Sequence, residues 1–433
     1  MQTKLAVLAE NILRRMQEKG VDEASCTVES ETTEELNIDN GSFSLYRTLY
    51  DKNLLLTAIR GRKRGLIRKN GFDEDSVEKA IEECLSMAEN GTPDEAWGMA
   101  PVVEEASFSH GVFEPDMDKF FLRTKEFLED VRREYPTVEL NQVINTYVRK
   151  EKVYRNTSGT CFTTEAGYYG ISLMLCAREG TKTSSFTGCG LFFTDLERPF
   201  AEIPQVKEQL ESVVRQVHTV NLNGTFKGTA LLVPSCFEEL LNEAIDDFAS
   251  GFSIMQGTAK WADMQNRQVA SPLLSVSFAP HHEKIIVGQD YTAEGFLAKD
   301  DVFIERGVLR SFRTDLYTHR KTGKPLAGNT SSAIVVEAGD MPLADIIAGI
   351  EKGILVGRFS GGSPASNGDF SGVAKNSFLI ENGKVTDALA EVMISGNLGD
   401  AFMNIRAVSK EREENGVSLV PYVACDGMTV SGK

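Results

Sequence analysis

The sequence predicts an α+β fold: an N-terminal α+β region followed by a largely antiparallel β C-terminal domain with a few helices. Three observations carry this. The first hundred residues read helix, strands, helix. A second unit repeats a helix, alternating strands and a helix. From about residue 226 onward, short apolar runs are cut by frequent glycine, as in an all-strand domain. A length of 433 residues fits two to three domains at roughly 100–200 residues each. The expected division is an N-terminal α+β domain over 1–92, a linker over 93–115, a middle α+β domain over 116–222 and a mostly-β C-terminal domain over 226–433.

Each element has a local cause. Leu5, Leu8, Ile12 and Met16 recur at three- and four-residue steps and Gly20 follows, so 2–19 is an amphipathic helix with a glycine stop. Cys26 to Ile38 is rich in Thr, Val and Glu and ends at Asp39-Asn40-Gly41, a hairpin turn. Strands fill 42–69, with Arg60-Gly61-Arg62-Lys63-Arg64-Gly65 as a basic turn. Asp75 and Glu78 make a capping-box-like start for a helix running to Asn90-Gly91. Residues 91–115 carry Pro, Gly and acidic residues without periodicity. A helix is expected at about 116–134 from Phe120, Phe127, Leu128 and Val131. Strands are expected at Val138 to Val148, Cys161 to Thr164, Gly170 to Ala177 and Ser185 to Phe193, then a helix near 203–217. The third unit has a clear helix after Pro234 and a second helical pattern at 343–352.

Composition excludes several function classes. There are 46 Lys and Arg against 63 Asp and Glu, a net charge of −17. Nucleic-acid binding needs a basic surface to displace counterions, and an anionic membrane repels such a chain. No apolar run approaches the roughly 20 residues of a spanning helix, and the N-terminus does not read as a signal peptide, so a cytoplasmic location is expected. The seven cysteines are scattered without C-x-x-C and read as buried thiols.

The five histidines are His110, His218, His281, His282 and His319. A helical zinc site needs two His on one face, and no pair here is spaced three to five residues apart. H-E-x-x-H and H-E-x-x-x-H are therefore absent. Phosphate-loop, dinucleotide and nucleophile-elbow motifs are absent as well. His281-His282-Glu283 is the one cluster resembling metal ligands, and it would need further ligands from elsewhere. The basic run from Arg60 to Lys69 reads as a solvated turn. In helix 235–249, Phe237, Leu240, Leu241, Ala244, Ile245 and Phe248 form the apolar stripe. Glu238, Glu239, Asn242 and Asp246 take the other face, which reads as that of an ordinary amphipathic helix; as donors they would suit hard cations better than zinc. The glycine-rich stretches around Gly328-Asn329, Gly361-Gly362 and Gly396-Asn397 could expose main-chain groups to an extended peptide, or be turns and bulges.

Those stretches also carry a resemblance. Glu294-Gly295, Ile304-Glu305-Arg306-Gly307, Asp315-Leu316-Tyr317-Thr318, Gly328-Asn329, Val335-Val336-Glu337-Ala338-Gly339-Asp340, Gly361-Gly362, Asn367-Gly368-Asp369-Phe370-Ser371 and Ile394-Ser395-Gly396-Asn397-Leu398 occur in order. With them the chain resembles, nearly end to end, the TldD/PmbA family of gyrase modulators and TldD/TldE peptidase subunits. In the family's TldD branch an H-E-x-x-x-H helix and a C-terminal Cys hold zinc. By position that helix corresponds to 235–249, where Glu238, Glu239, Asn242, Glu243 and Asp246 stand at the degenerate ligand positions. Cys425 does not match the family's ligand motif. The resemblance therefore implies no catalytic residue and no metal or cofactor in this chain, with zinc only in a TldD-like partner, as in the PmbA/TldE branch. It implies a cytosolic metallopeptidase complex acting on unfolded or flexible peptides. The partners implied are a TldD-like subunit, a second copy, or both, with Gly328, Asn329, Gly361, Gly362, Gly396 and Asn397 as peptide or chamber contacts. An autonomous hydrolase using His281, His282 and Glu283, and a stand-alone peptide-binding homodimer, are the alternatives.

Overall fold

The computed structural model describes residues 3–361 and 363–432. Helix α1 (Lys4–Glu18) starts at Thr3, whose hydroxyl accepts from the Ala6 amide at 3.2 Å. Strands β1 (Glu23–Asp39) and β2 (Ser42–Arg60) follow. The turn between them holds Asn40 (φ 49°) and Gly41 (φ 71°), the two left-handed residues of a tight hairpin. Strand β3 (Lys63–Asn70) returns from the basic turn, where Arg60 pairs with Glu89 and Arg62 with Glu95. Helix α2 (Glu74–Asn90) is capped by Asp73, which accepts from the Ser76 amide, so the cap lies two residues before the expected Asp75.

The expected linker is not structureless. It contains strand β4 (Glu105–Gly111), whose alternation packs the half-buried Phe108 against Phe162 and Tyr291. Helix α3 (Met117–Glu134) leads to β5 (Val138–Asn156) and β6 (Cys161–Glu179). Strand β6 is continuous where two strands were expected. Gly167 and Gly170 lie inside it, where a Cβ would stand 1.8 Å from the Val112 carbonyl and 2.8 Å from the Thr146 hydroxyl. These glycines admit close neighbours and do not break the strand.

The strand order is β3-β2-β1-β5-β6-β4, with β1 and β5 antiparallel from Ser25↔Asn156 to Asp39↔Gln142. The strands between Glu23 and Asn70 and those between Val138 and Glu179 therefore share one sheet, which local periodicity does not reveal. Helices cover one face of it. At one end α1 and α2 bury Ile12, Met16, Ile81 and Cys84 against Cys26, Val28, Leu54 and Leu56. At the other end α3 and helix α4 (Pro204–Arg215) bury Phe120, Phe127, Val206 and Leu210 against Val143, Tyr169 and Leu173. Because side chains alternate, the register leaves Glu29, Lys152 and Thr164 together on the opposite face.

The C-terminal region is built on the strand Leu419–Ser431, which pairs with Thr225–Leu232, Ile405–Glu414 and Val392–Asn397. Helix α5 (Pro234–Ala249) buries Phe237, Leu240, Leu241, Ala244, Ile245 and Phe248 in that core. The pattern expected to be helical over 343–352 gives a helix only over Leu343–Ala348, and a strand opens at Lys352. Gly353 explains the switch, since a Cβ there would lie 2.4 Å from the Thr229 carbonyl across a parallel pair. Among the described residues no helix is long and apolar enough to cross a membrane.

Candidate functional site

The open face of α5 presents the five residues picked out in the sequence. Glu238 is half-buried and accepts from the Ser418 hydroxyl at 2.7 Å. Burial raises its pKa, and it raises those of Glu239, Glu243 and Asp246. Acidic neighbours add to the last three, and Arg358 and Arg313 oppose the shift at Glu239 and Asp246. Asn242 is exposed between them. Four carboxylates and one amide offer no imidazole or thiolate donor, so this face does not fit zinc. Cys425 does not complete a site. It is fully buried under α5, and burial pushes its thiol up to about 12, with Asp426 and Cys236 adding. Such a sulfur stays protonated and is a poor ligand. Among the described residues no three His, Cys, Asp or Glu side chains are grouped to hold a metal.

The glycine-rich segments divide by burial. Asn329 is fully buried. Its amide donates to the Phe278 carbonyl at 2.9 Å and the Lys299 carbonyl at 2.8 Å. Its side-chain oxygen accepts from the Ser331 amide and hydroxyl. The Gly328 amide donates to Asp301. These two residues tie loops together and are already hydrogen-bonded within the chain, so they do not present free groups to a peptide. Asn397 has a comparable role. It caps the helix Leu398–Met403 by accepting from Gly399 and Asp400, while its amide donates to Asn367 and Asp369. Gly396 lies opposite Phe370 inside a strand pair. Gly361 is exposed on the strand Arg358–Gly361, whose pairing among the described residues is with Asp369–Lys375 alone. Gly362 lies outside the described residues.

His281, His282 and Glu283 line a cleft of about 620 Å³ between the helix-free face of the first sheet and the segment 280–291. They do not converge as ligands. His281 Nδ1 stands 3.6 Å from Asp300, and His282 Nδ1 accepts from the Lys284 amide at 3.1 Å. His110, from β4, reaches the same cleft and pairs with Asp290 at 2.8 Å.

Sequence reasoning missed a second set of carboxylates. Glu208 on α4 and Glu413 on Ile405–Glu414 line a cavity of about 180 Å³. Glu238 approaches from α5 closely enough to raise Glu413. Burial, then Glu208 and Glu238, push the Glu413 carboxyl up to about 8. Only the alternation of Arg412, Glu413 and Glu414 against a buried strand could have hinted at this.

A long sheet covered by helices on one face, joined to a mostly-β region that carries α5, is the frame on which these residues are set. Residues 225–432 match the model of the PmbA/TldA metallopeptidase C-terminal domain. A metalloprotease PmbA homolog of Haemophilus influenzae is 22% identical over 402 residues, 88% of this chain and 86% of its own length. A zinc metalloprotease TldD homolog of Saccharolobus solfataricus is 23% identical over 56% of this chain and 57% of its own. The crystal structure of TldE from Thermococcus kodakarensis superposes with a TM-score of 0.83 at 21% identity, covering 98% of this chain and all of that one. Residues 225–432 are thus a PmbA/TldD-type C-terminal domain, and the chain as a whole is similar to PmbA and TldE proteins.

Proposed function

We propose that this chain is a PmbA/TldE-like subunit without a zinc centre of its own, assisting a TldD-like peptidase on unfolded or flexible peptides in the cytosol. One observation carries the reading. On α5 the residues at the ligand positions are Glu238, Glu239, Asn242, Glu243 and Asp246, none with an imidazole or thiol, and the C-terminal thiol Cys425 is sealed beneath the helix. A zinc-bound water of lowered pKa requires nitrogen or sulfur donors around an open position. What this scaffold offers instead is a large acidic surface, an exposed glycine on an edge strand at Gly361 and a deep cleft. These features suit shaping a chamber and gripping a main chain.

The test is reconstitution. The chain alone is expected to cleave no unfolded test peptide. Mixed with a TldD-like protein, it is expected to co-elute as a complex on gel filtration and to raise that protein's turnover of the peptide at least tenfold. Chelator-sensitive cleavage by the chain alone would overturn the reading. So would failure to form a complex, and self-association without such a complex would favour the homodimer.

A further inference from the structure

The register of the first sheet builds a charge ladder on its helix-free face. Glu29 stands opposite Lys152 and Glu31 opposite Lys150. Lys150, Lys152 and Thr164 floor the cleft of about 620 Å³ whose other wall is the segment 280–291. The charges in it are unevenly matched. Lys150 Nζ reaches Glu31 at 2.9 Å and Glu29 at 3.8 Å. Asp290 takes His110 at 2.8 Å and the Thr164 hydroxyl at 2.7 Å.

Lys152 makes no ion pair among the described residues. Its ammonium stands 4.9 Å from the centroid of the Tyr291 ring, and burial lowers its pKa against the pull of Glu29. Tyr291 is only 5% exposed, and its hydroxyl has no hydrogen-bond partner among the described residues. A half-buried ammonium without a counter-ion and a buried hydroxyl without a partner both carry a desolvation penalty. One anion accepting from both would relieve both.

The geometry points to a carboxylate-binding site here, formed by Lys152 and Tyr291, that takes the C-terminal carboxylate of a peptide. The charge balance selects a monoanion: among the described residues Lys152 is the lysine of this lining without an ion pair, and Glu29, Glu283 and Asp290 in the lining repel a dianion such as phosphate more strongly than a monoanion. The size suits a ligand of a few residues. The polar rim at Gln289, Thr330 and Ser331 offers groups for a main chain. Peptide as the source of the carboxylate rests on the proposed function. The site itself does not, and it is tested on the chain without any partner.

The probes are acetyl-trialanine with a free C-terminus, the same peptide as its C-terminal amide, and inorganic phosphate. The readout is the imidazole ¹H–¹⁵N signals of the full-length chain. His110, His281 and His282 line the cleft, while His218 and His319 lie outside it and serve as internal controls. The acid is expected to shift the three cleft signals saturably and leave the other two in place. The amide is expected to bind at least tenfold more weakly, as is the acid to Lys152→Met, with a smaller loss in Tyr291→Phe. Equal binding of acid and amide, absence of a saturable shift with the acid, or tighter binding of phosphate than of the acid would overturn the proposal. The acid–amide comparison needs no variant, so it stands even where a substitution unfolds the chain.

Discussion

Tyr422, on the central strand of the C-terminal domain, donates its hydroxyl hydrogen to Glu208 on α4. This bond links the first sheet's helical cover to the second domain, at a place where Glu413 also converges. Burial raises the Glu208 carboxyl despite the hydrogen bond, and the Tyr422 hydroxyl is raised by burial with Glu208 adding. The contact between the domains is thus partly ionisable.

Stability is expected to depend on Glu413. Its folded pKa of about 8 lies above the roughly 4.3 of an unfolded glutamate. A raised carboxyl favours the protonated form in the folded state. Its stabilising contribution is complete below about pH 4 and is lost as pH rises through about 8. Glu413→Gln should therefore raise the Tm at pH 8.5 by about 2–4 °C and change it little at pH 4.5. Calorimetry at the two pH values checks this, and an equal or lower Tm for the variant at pH 8.5 would contradict it.

Asn329→Ala is expected to destabilise the chain by about 2–3 kcal/mol, because it strands two buried carbonyls and the Ser331 donors. Urea unfolding measures it. An unchanged unfolding midpoint with lost peptide binding would instead make Asn329 a contact residue, as the sequence had suggested.

Cys236 and Cys425 should resist alkylation in the folded chain at pH 8, since burial pushes both thiols up to about 12. Mass-spectrometric mapping after a timed pulse of iodoacetamide should find them labelled at least a hundredfold more slowly than in urea. Rapid native labelling of Cys425 would show a thiol open to solvent and available as a ligand.

Gly65→Ala should be strongly destabilising, by about 2 kcal/mol or more, because a Cβ there would lie 1.9 Å from the Cys84 carbonyl of α2. Thermal melting would show it, and a wild-type Tm would mean that α2 sits farther from β3.

Much of the fold was legible because its causes are local. The apolar steps of α1 and α5, the Asn40-Gly41 turn and the glycine-cut strands after residue 226 each state their own structure. Long-range causes were not legible. Nothing near Ser25 announces Asn156 as its partner, so the sheet shared by the first two units was hidden. In-strand glycines such as Gly167 read as breaks because the carbonyl they make room for is 55 residues away, at Val112. At the site, the absence of paired histidines was plain from spacing alone. The burial of Asn329 and the convergence of Glu208, Glu238 and Glu413 were not, since each arises from elements far apart in the chain. Lys152 and Tyr291 are likewise brought together only by the packing of one domain on the other.

The proposed function stands or falls on whether this chain holds zinc of its own. Elemental analysis of the chain purified alone and dialysed without chelator tests it most directly. Zinc far below one per chain is expected. One zinc per chain, removed by chelation together with a peptidase activity, would contradict it and make His281, His282 and Cys425 the first ligands to substitute.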